Sequence, residues 1–81
     1  MSSIYILSFN KIELEDVEAF LDEESAKERL LRIYLKIGKE AFHRDNYTIQ
    51  ILQASENGGF RMTYRGFEID DNGDIQYFDR N

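Results

Sequence analysis

The chain has 81 residues, no cysteine and a formal net charge of −6. At this length a chain buries only about 60–65% of the surface its unfolded form exposes, which leaves material for one thin core and no second domain. Without cysteine neither a disulfide framework nor a thiolate zinc site is available, and the negative balance disfavours DNA, RNA and anionic membranes while favouring a basic partner.

Leu, Ile, Val and Phe supply 23 of the 81 residues and there are eleven aromatics, so a folded domain is expected despite the charge. The N-terminal stretch "MSSIYILSFNK" carries no basic leader, and its apolar run is far below the ~20 residues that span a bilayer. A soluble, cytoplasmic protein with no membrane association is the expectation. "SIYILSF" at 3–9 is nearly all apolar, as in a strand covered on both faces or central in a sheet. The next segment, 12–21, carries mixed signals and predicts a short strand at about 17–21.

"DEESAKERLLRIYLKIGKEAFH" at 22–43 is the strongest helical signal. Asp22 is placed to cap it, with Glu23 and Glu24 at its positive end and Ser25 to Glu28 as a second capping register. Gly38 is the expected stop, or else the helix runs on to about His43. An antiparallel meander follows: "YTIQIL" (47–52), a turn at "ENGG" (56–59), "FRMTY" (60–64) with Phe60, Met62 and Tyr64 on one face, and "DIQYFD" (74–79). Apolar parity switches from even to odd between Tyr64 and Phe67, which places a bulge at Gly66. The elements predict a single α+β domain over 1–81. It has one amphipathic helix on a four- to five-stranded, mainly antiparallel sheet, in the order β-(β)-α-β-β-β.

On a helical wheel Ala26, Leu30, Ile33, Tyr34, Ile37 and Ala41 form the stripe expected to face the sheet. Arg29, Arg32, Lys36, Lys39 and His43 form a basic stripe. Leu31, Leu35, Gly38 and Phe42 form a third stripe, to be covered by the segment 12–21 or, if it is not, by a second copy through Leu31, Leu35 and Phe42. Charge is segregated along the chain. Glu13, Glu15, Asp16, Glu18, Asp22, Glu23 and Glu24 give residues 12–24 a net −7, and residues 25–44 carry a net +4. The acidic block either meets a basic partner or neutralises the basic stripe beside it.

Tests for chemistry return little. Asp70, Asn72 and Asp74 alternate around Gly73 like calcium ligands, but the sixth and twelfth residues counted from Asp70 are Ile75 and Asn81, where a helix-loop-helix calcium site needs Gly and Glu. Asn72-Gly73 predicts instead a type I′ hairpin turn, with Ile69, Ile75 and Tyr77 inward. One histidine, His43, has no second metal ligand or nucleophile with it in any recognised spacing, so neither cofactor, metal nor catalysis is expected. "RGFEIDDN" at 65–72 begins like an RNA-recognition signature, with Arg65, Gly66 and Phe67, but Glu68 then stands where Gly or Ala admits stacked bases.

In size, acidity, lack of cysteine and strand-helix-meander layout, the chain resembles the small phage-encoded inhibitors of host defence, including anti-CRISPR and DNA-mimic proteins. The resemblance is one of general character and carries no residue roles. It implies a compact, non-catalytic domain that occludes a surface of a larger protein or complex. The expected contact residues are the seven carboxylates of 13–24 with Asp70, Asp71 and Asp74, supported by Glu68 and facing a protein partner with a basic surface. The alternative is a nucleic-acid-binding module using Arg29, Arg32, Lys36 and Lys39 with the aromatics Tyr5, Tyr47, Phe60, Tyr64, Phe67 and Tyr77.

Overall fold

Asp22 starts the helix as its sequence context requires. Its Oδ1 accepts the Ser25 backbone N–H at 2.8 Å and its Oδ2 the Ser25 hydroxyl at 2.9 Å, satisfying one of the orphan donors of the first turn. A computed structural model describes residues 2–10 and 18–81 and gives seven elements. These are β1 (Ser3–Ser8), β2 (Ala19–Phe20), α1 (Glu23–Ile37), α2 (Lys39–Arg44), β3 (Thr48–Ala54), β4 (Phe60–Ile69) and β5 (Ile75–Asp79). The fold is α+β, as expected: a main helix and a short one beside a five-stranded antiparallel sheet in the order β2-β1-β3-β4-β5. No helix among the described residues is long and apolar enough to cross a membrane.

Gly38 divides the helical segment in two, so both expectations for its end hold in part. Its φ of 90° and ψ of 159° belong to a region essentially reserved for glycine, and the chain restarts as α2 on a new axis. That change of direction relocates Phe42. The third stripe expected of Leu31, Leu35 and Phe42 does not form: Phe42 is 1% exposed and among the largest fully buried side chains. Its ring stacks on Tyr47 at 5.3 Å and meets Tyr34 edge-on at 5.2 Å, while Phe9 stacks on Tyr47 at 4.7 Å. Leu31 packs against the core, and only Leu35 stays largely exposed. Ile37, assigned to the core stripe, is partly exposed because α1 ends on it.

Strand register decides which side chains reach the helix. Leu7, Ile49 and Phe67 stand opposite one another across β1, β3 and β4, and form one core with Ala26, Leu30 and Ile33 of α1. Phe20 pairs with Tyr5 and packs on the edge of this core. Leu14 and Val17, the other expected cover residues, lie outside the described residues, and Leu21 is exposed. The next row, Ile6, Gln50, Gly66 and Phe78, faces away from α1. There a Cβ at Gly66 would collide with the Ile49 carbonyl oxygen and come within 2.7 Å of the Phe78 ring. The Phe78 ring thus lies directly on bare backbone, and the Arg80 guanidinium covers it at 4.2 Å.

The bulge is not at Gly66. Ile51 pairs with Arg65 and the adjacent Leu52 with Met62, so Thr63 and Tyr64 are the inserted residues. Because two residues are inserted, the faces keep their numbering: even-numbered Phe60 and Met62 point away from α1, and odd-numbered Phe67 and Ile69 point towards it. The apolar parity switch in the sequence marks a change in which face is apolar, not a change of face.

Both hairpins turn in the same way. Gly58 and Gly73, each with φ of 87°, donate to the carbonyls of Ser55 and Asp70, while Ser55 and Asp70 donate to Gly59 and Asp74. This is a three-residue loop with a glycine bulge, and Asn72 does not take the positive φ of the expected type I′ turn. Ile69 and Ile75 pack inward, but Tyr77 is half exposed, its ring meeting the edge of the core at Phe67, 5.7 Å away. Gly66→Ala should cost about 2–3 kcal/mol in chemical denaturation, the scale of an overpacked site, and unchanged stability would contradict the contact between Phe78 and Gly66.

Candidate functional site

Thr63 holds the bulge. Its hydroxyl donates to the Ile51 carbonyl at 2.7 Å and accepts the Arg65 N–H at 3.2 Å, supplying partners that the interrupted ladder no longer provides. Tyr64 is thereby driven to a φ of 61°, a left-handed conformation uncommon for a bulky residue, and its side chain is 56% exposed. Beyond the bulge Phe60 is 50% and Met62 52% exposed. Three large apolar side chains are presented within five residues of one strand.

A cleft of about 290 Å³ lies beside them, lined by Gln53, Arg61, Thr63, Arg65, Asp79 and Asn81 among others. Among the described residues Arg61 reaches only the Gln53 amide oxygen, at 3.4 Å. Arg65 stands opposite Asp79 in the β4–β5 ladder, yet Asp79 Oδ1 accepts the Asn81 N–H at 3.0 Å. Among the described residues neither arginine has a carboxylate within 4.0 Å.

The carboxylates expected to meet a partner fare differently. Glu13, Glu15 and Asp16 lie outside the described residues. Glu18 is bound by Arg29 through three contacts of 3.0–3.3 Å, and Lys27 sits 3.5 Å from Glu23 and 3.6 Å from Glu24. The described part of the acidic block therefore neutralises the helix beside it, and Asp22 is spent on the cap. Asp70 is occupied too: Oδ1 accepts the N–H groups of Asn72 and Asp74, each at 2.9 Å, and Oδ2 accepts the Gln76 amide at 2.9 Å. Asp71 and Asp74, exposed at the β4–β5 turn, have no cation within 4.0 Å among the described residues. Glu68 pairs with Arg80 at 3.3 Å.

No protein-family model matches the chain, and no curated protein or solved structure is similar to it.

The basic stripe is divided in the same way. Arg29 and Arg32 bind Glu18 and Glu28, leaving Lys36 and Lys39 without an acidic partner among the described residues. The sheet aromatics do not form a common stacking platform, because Tyr5, Tyr47 and Phe67 pack with the helical layer. His43 packs edge-on to Phe42 at 5.5 Å and Tyr34 at 6.3 Å, and its buried Nε2 has no hydrogen-bond partner among the described residues. No group of three or more acidic or histidine side chains among the described residues is placed to hold a metal.

Sequence reasoning put Phe60, Met62 and Tyr64 together on one face of a strand, with Phe60 and Tyr64 among the sheet aromatics, and gave Arg61 no role. The missed signal was the alternation of Phe60, Arg61, Met62 and Thr63, which puts apolar and basic side chains on opposite faces of a strand end.

Thr63→Val keeps the shape but strands the Ile51 carbonyl and the Arg65 N–H, and should cost about 1–3 kcal/mol in chemical denaturation. No loss would contradict the pinning of the bulge. Acid should also act through two aspartates. The Ser25 backbone N–H holds the Asp22 carboxyl below its ordinary value of 3.8, and the Asp74 N–H does the same for Asp70. A carboxyl lowered in the folded state contributes stability that is present above its unfolded value and lost as pH falls through its folded value. The denaturation midpoint should therefore drop as pH falls below 3.8, and less so in Asp70→Asn. Parallel pH profiles for the two proteins would contradict the role of Asp70.

Proposed function

We propose that this chain is a small, non-catalytic binding protein that occludes a surface of a larger protein, docking through the outer half of β4. One observation carries the reading: Phe60, Met62 and Tyr64 are each at least half exposed on consecutive even positions of one strand, beside two arginines without acidic partners among the described residues. Aromatic residues, methionine and arginine are the types enriched in the buried centres of protein interfaces. In a chain with so thin a core, leaving three such side chains half in water forgoes roughly 1 kcal/mol of burial for each, about half the value for full burial. A partner that covers them recovers it.

The inhibitor-like character of the sequence fits this way of acting, since occlusion needs a rigid exposed surface and not an enclosed cavity. A second reading, a partner with a basic surface, draws support from Asp71 and Asp74, exposed at the β4–β5 turn. The net charge of −6 steers such a partner from a distance. The two readings combine in an interface with an apolar centre on β4 and an acidic flank.

Affinity capture from extracts of the source cell tests both. Phe60→Ser with Met62→Ser should lower capture of the partner at least about tenfold while the circular dichroism spectrum stays native, since central anchors carry most of an interface's energy. Asp71→Lys with Asp74→Lys should weaken capture chiefly at low salt, where surface charges are least screened. Full capture by the β4 variant would remove the reading.

A further inference from the structure

The outer half of β4 is also an open sheet edge. β5 pairs with β4 over residues 65–69, and the Arg80 N–H adds one more bond, to the Tyr64 carbonyl at 2.8 Å. Beyond it, from Phe60 to Thr63, β3 lies on one side and no described strand on the other. The result is a notch of four residues, roughly 13 Å at the rise of an extended chain. Unpaired backbone groups along such an edge are a template for another strand. The notch differs from an ordinary edge in what flanks it. The cleft of about 290 Å³ opens at this point, with Arg61 and Arg65 on its walls. Both belong to the sheet face that α1 covers further along, as their partners Gln53 and Ile51 show.

Resting on the binding role proposed above, we infer that this notch takes an extended acidic segment of the partner. The segment adds as a strand to the edge of Phe60–Thr63, in line with β5, and places a carboxylate between Arg61 and Arg65. Backbone pairing supplies affinity and the charged cleft supplies selectivity, the division of labour seen when peptides add to sheet edges. Arginine suits this task because its planar donors match a carboxylate two at a time. Charge argues against the alternatives. A second copy related by a two-fold axis would bring the arginines of one chain against those of the other, and the net charge of −6 works against a nucleic-acid strand. Asp79 on the cleft wall sets a limit: it leaves a net single positive charge there, enough for one carboxylate and not for a polyanion.

The test is a titration of the ¹⁵N-labelled protein with three blocked peptides that alternate valine with glutamate, glutamine or lysine. The glutamate peptide should shift the backbone amides of residues 60–65 and bind about tenfold more tightly than the glutamine peptide, the scale of a charge-assisted pair. The lysine peptide should bind more weakly still. Arg61→Ala and Arg65→Ala, checked as folded from their own spectra, should each remove most of the preference for glutamate. A proline at the centre of the glutamate peptide should weaken binding, because it removes a ladder donor. Equal binding by the three peptides, shifts confined to other residues, no shifts at all, or a single-stranded oligonucleotide that displaces the glutamate peptide from residues 60–65 would each overturn the inference. If the titration fails while partner capture still depends on Phe60 and Met62, the acidic strand falls and the binding role stands. If capture is also indifferent to those two residues, both fall.

Discussion

The Thr63 hydroxyl holds together the two halves of the longest strand. One buried oxygen joins the Ile51 carbonyl to the Arg65 N–H, and across that point β4 changes use. On one side Phe67 and Ile69 complete the core beneath α1 and β5 pairs along the edge. On the other, Phe60 and Met62 stand in solvent and the edge is bare. Where the ladder is interrupted, the Arg80 N–H bonds the Tyr64 carbonyl and a cleft opens beside it. The bulge stores strain at Tyr64, of the order of 1–3 kcal/mol for a non-glycine residue so placed. Such strain persists only where the surroundings impose it, and here Thr63, the β3 register and the bond from Arg80 do so.

Glycines set the other limits. Gly66 lets the Phe78 ring lie on the sheet, which buries a large aromatic on the face away from α1 without a second helix. Gly38 turns α2 so that Phe42 closes the end of the core against Tyr47 and Tyr34. Among the described residues Leu21 and Leu35 stay exposed singly beside the helix, while Phe60, Met62 and Tyr64 are exposed together at the outer end of β4. The electrostatics follow the same economy. Glu18, Glu23 and Glu24 are set against Arg29 and Lys27, pairs that at such exposure contribute about 0–1 kcal/mol each but remove local charge. The described part of the acidity between residues 12 and 24 is thus largely internal bookkeeping, whereas Asp71 and Asp74 have no cation within 4.0 Å among the described residues.

Local rules made much of the fold legible: Asp22 as cap, Gly38 as break, the alternation of Ile49 and Ile51, and the Asn-Gly turns. What escaped depends on long-range geometry. Asn72-Gly73 serves both a two-residue and a three-residue loop, and only the pairing of Asp70 with Asp74 distinguishes them. Phe42 was set on a stripe with Leu31 and Leu35, in need of a separate cover, because a straight helix was extended through Gly38. Phe60, Met62 and Tyr64 were legible as one apolar face, since alternate positions share a side of a strand, but not as an exposed one. Which face has a helix above it is a property of the whole sheet, so the candidate site was invisible until strand order and register were known. The acidic block was visible, but its partners on α1 were not, since Glu18 and Arg29 meet only after the chain has turned from β2 into α1.

The most direct measurement is of the β3–β4 register in solution, by nuclear Overhauser contacts between the two strands. The account predicts cross-strand contacts between Ile51 and Arg65 and between Leu52 and Met62, with Thr63 and Tyr64 both looped between them. It also predicts a strong contact between the amide and α protons of Tyr64, as a positive φ requires. A continuous ladder that pairs Leu52 with Tyr64 would contradict it, and with it the division of β4 into a structural half and a binding half.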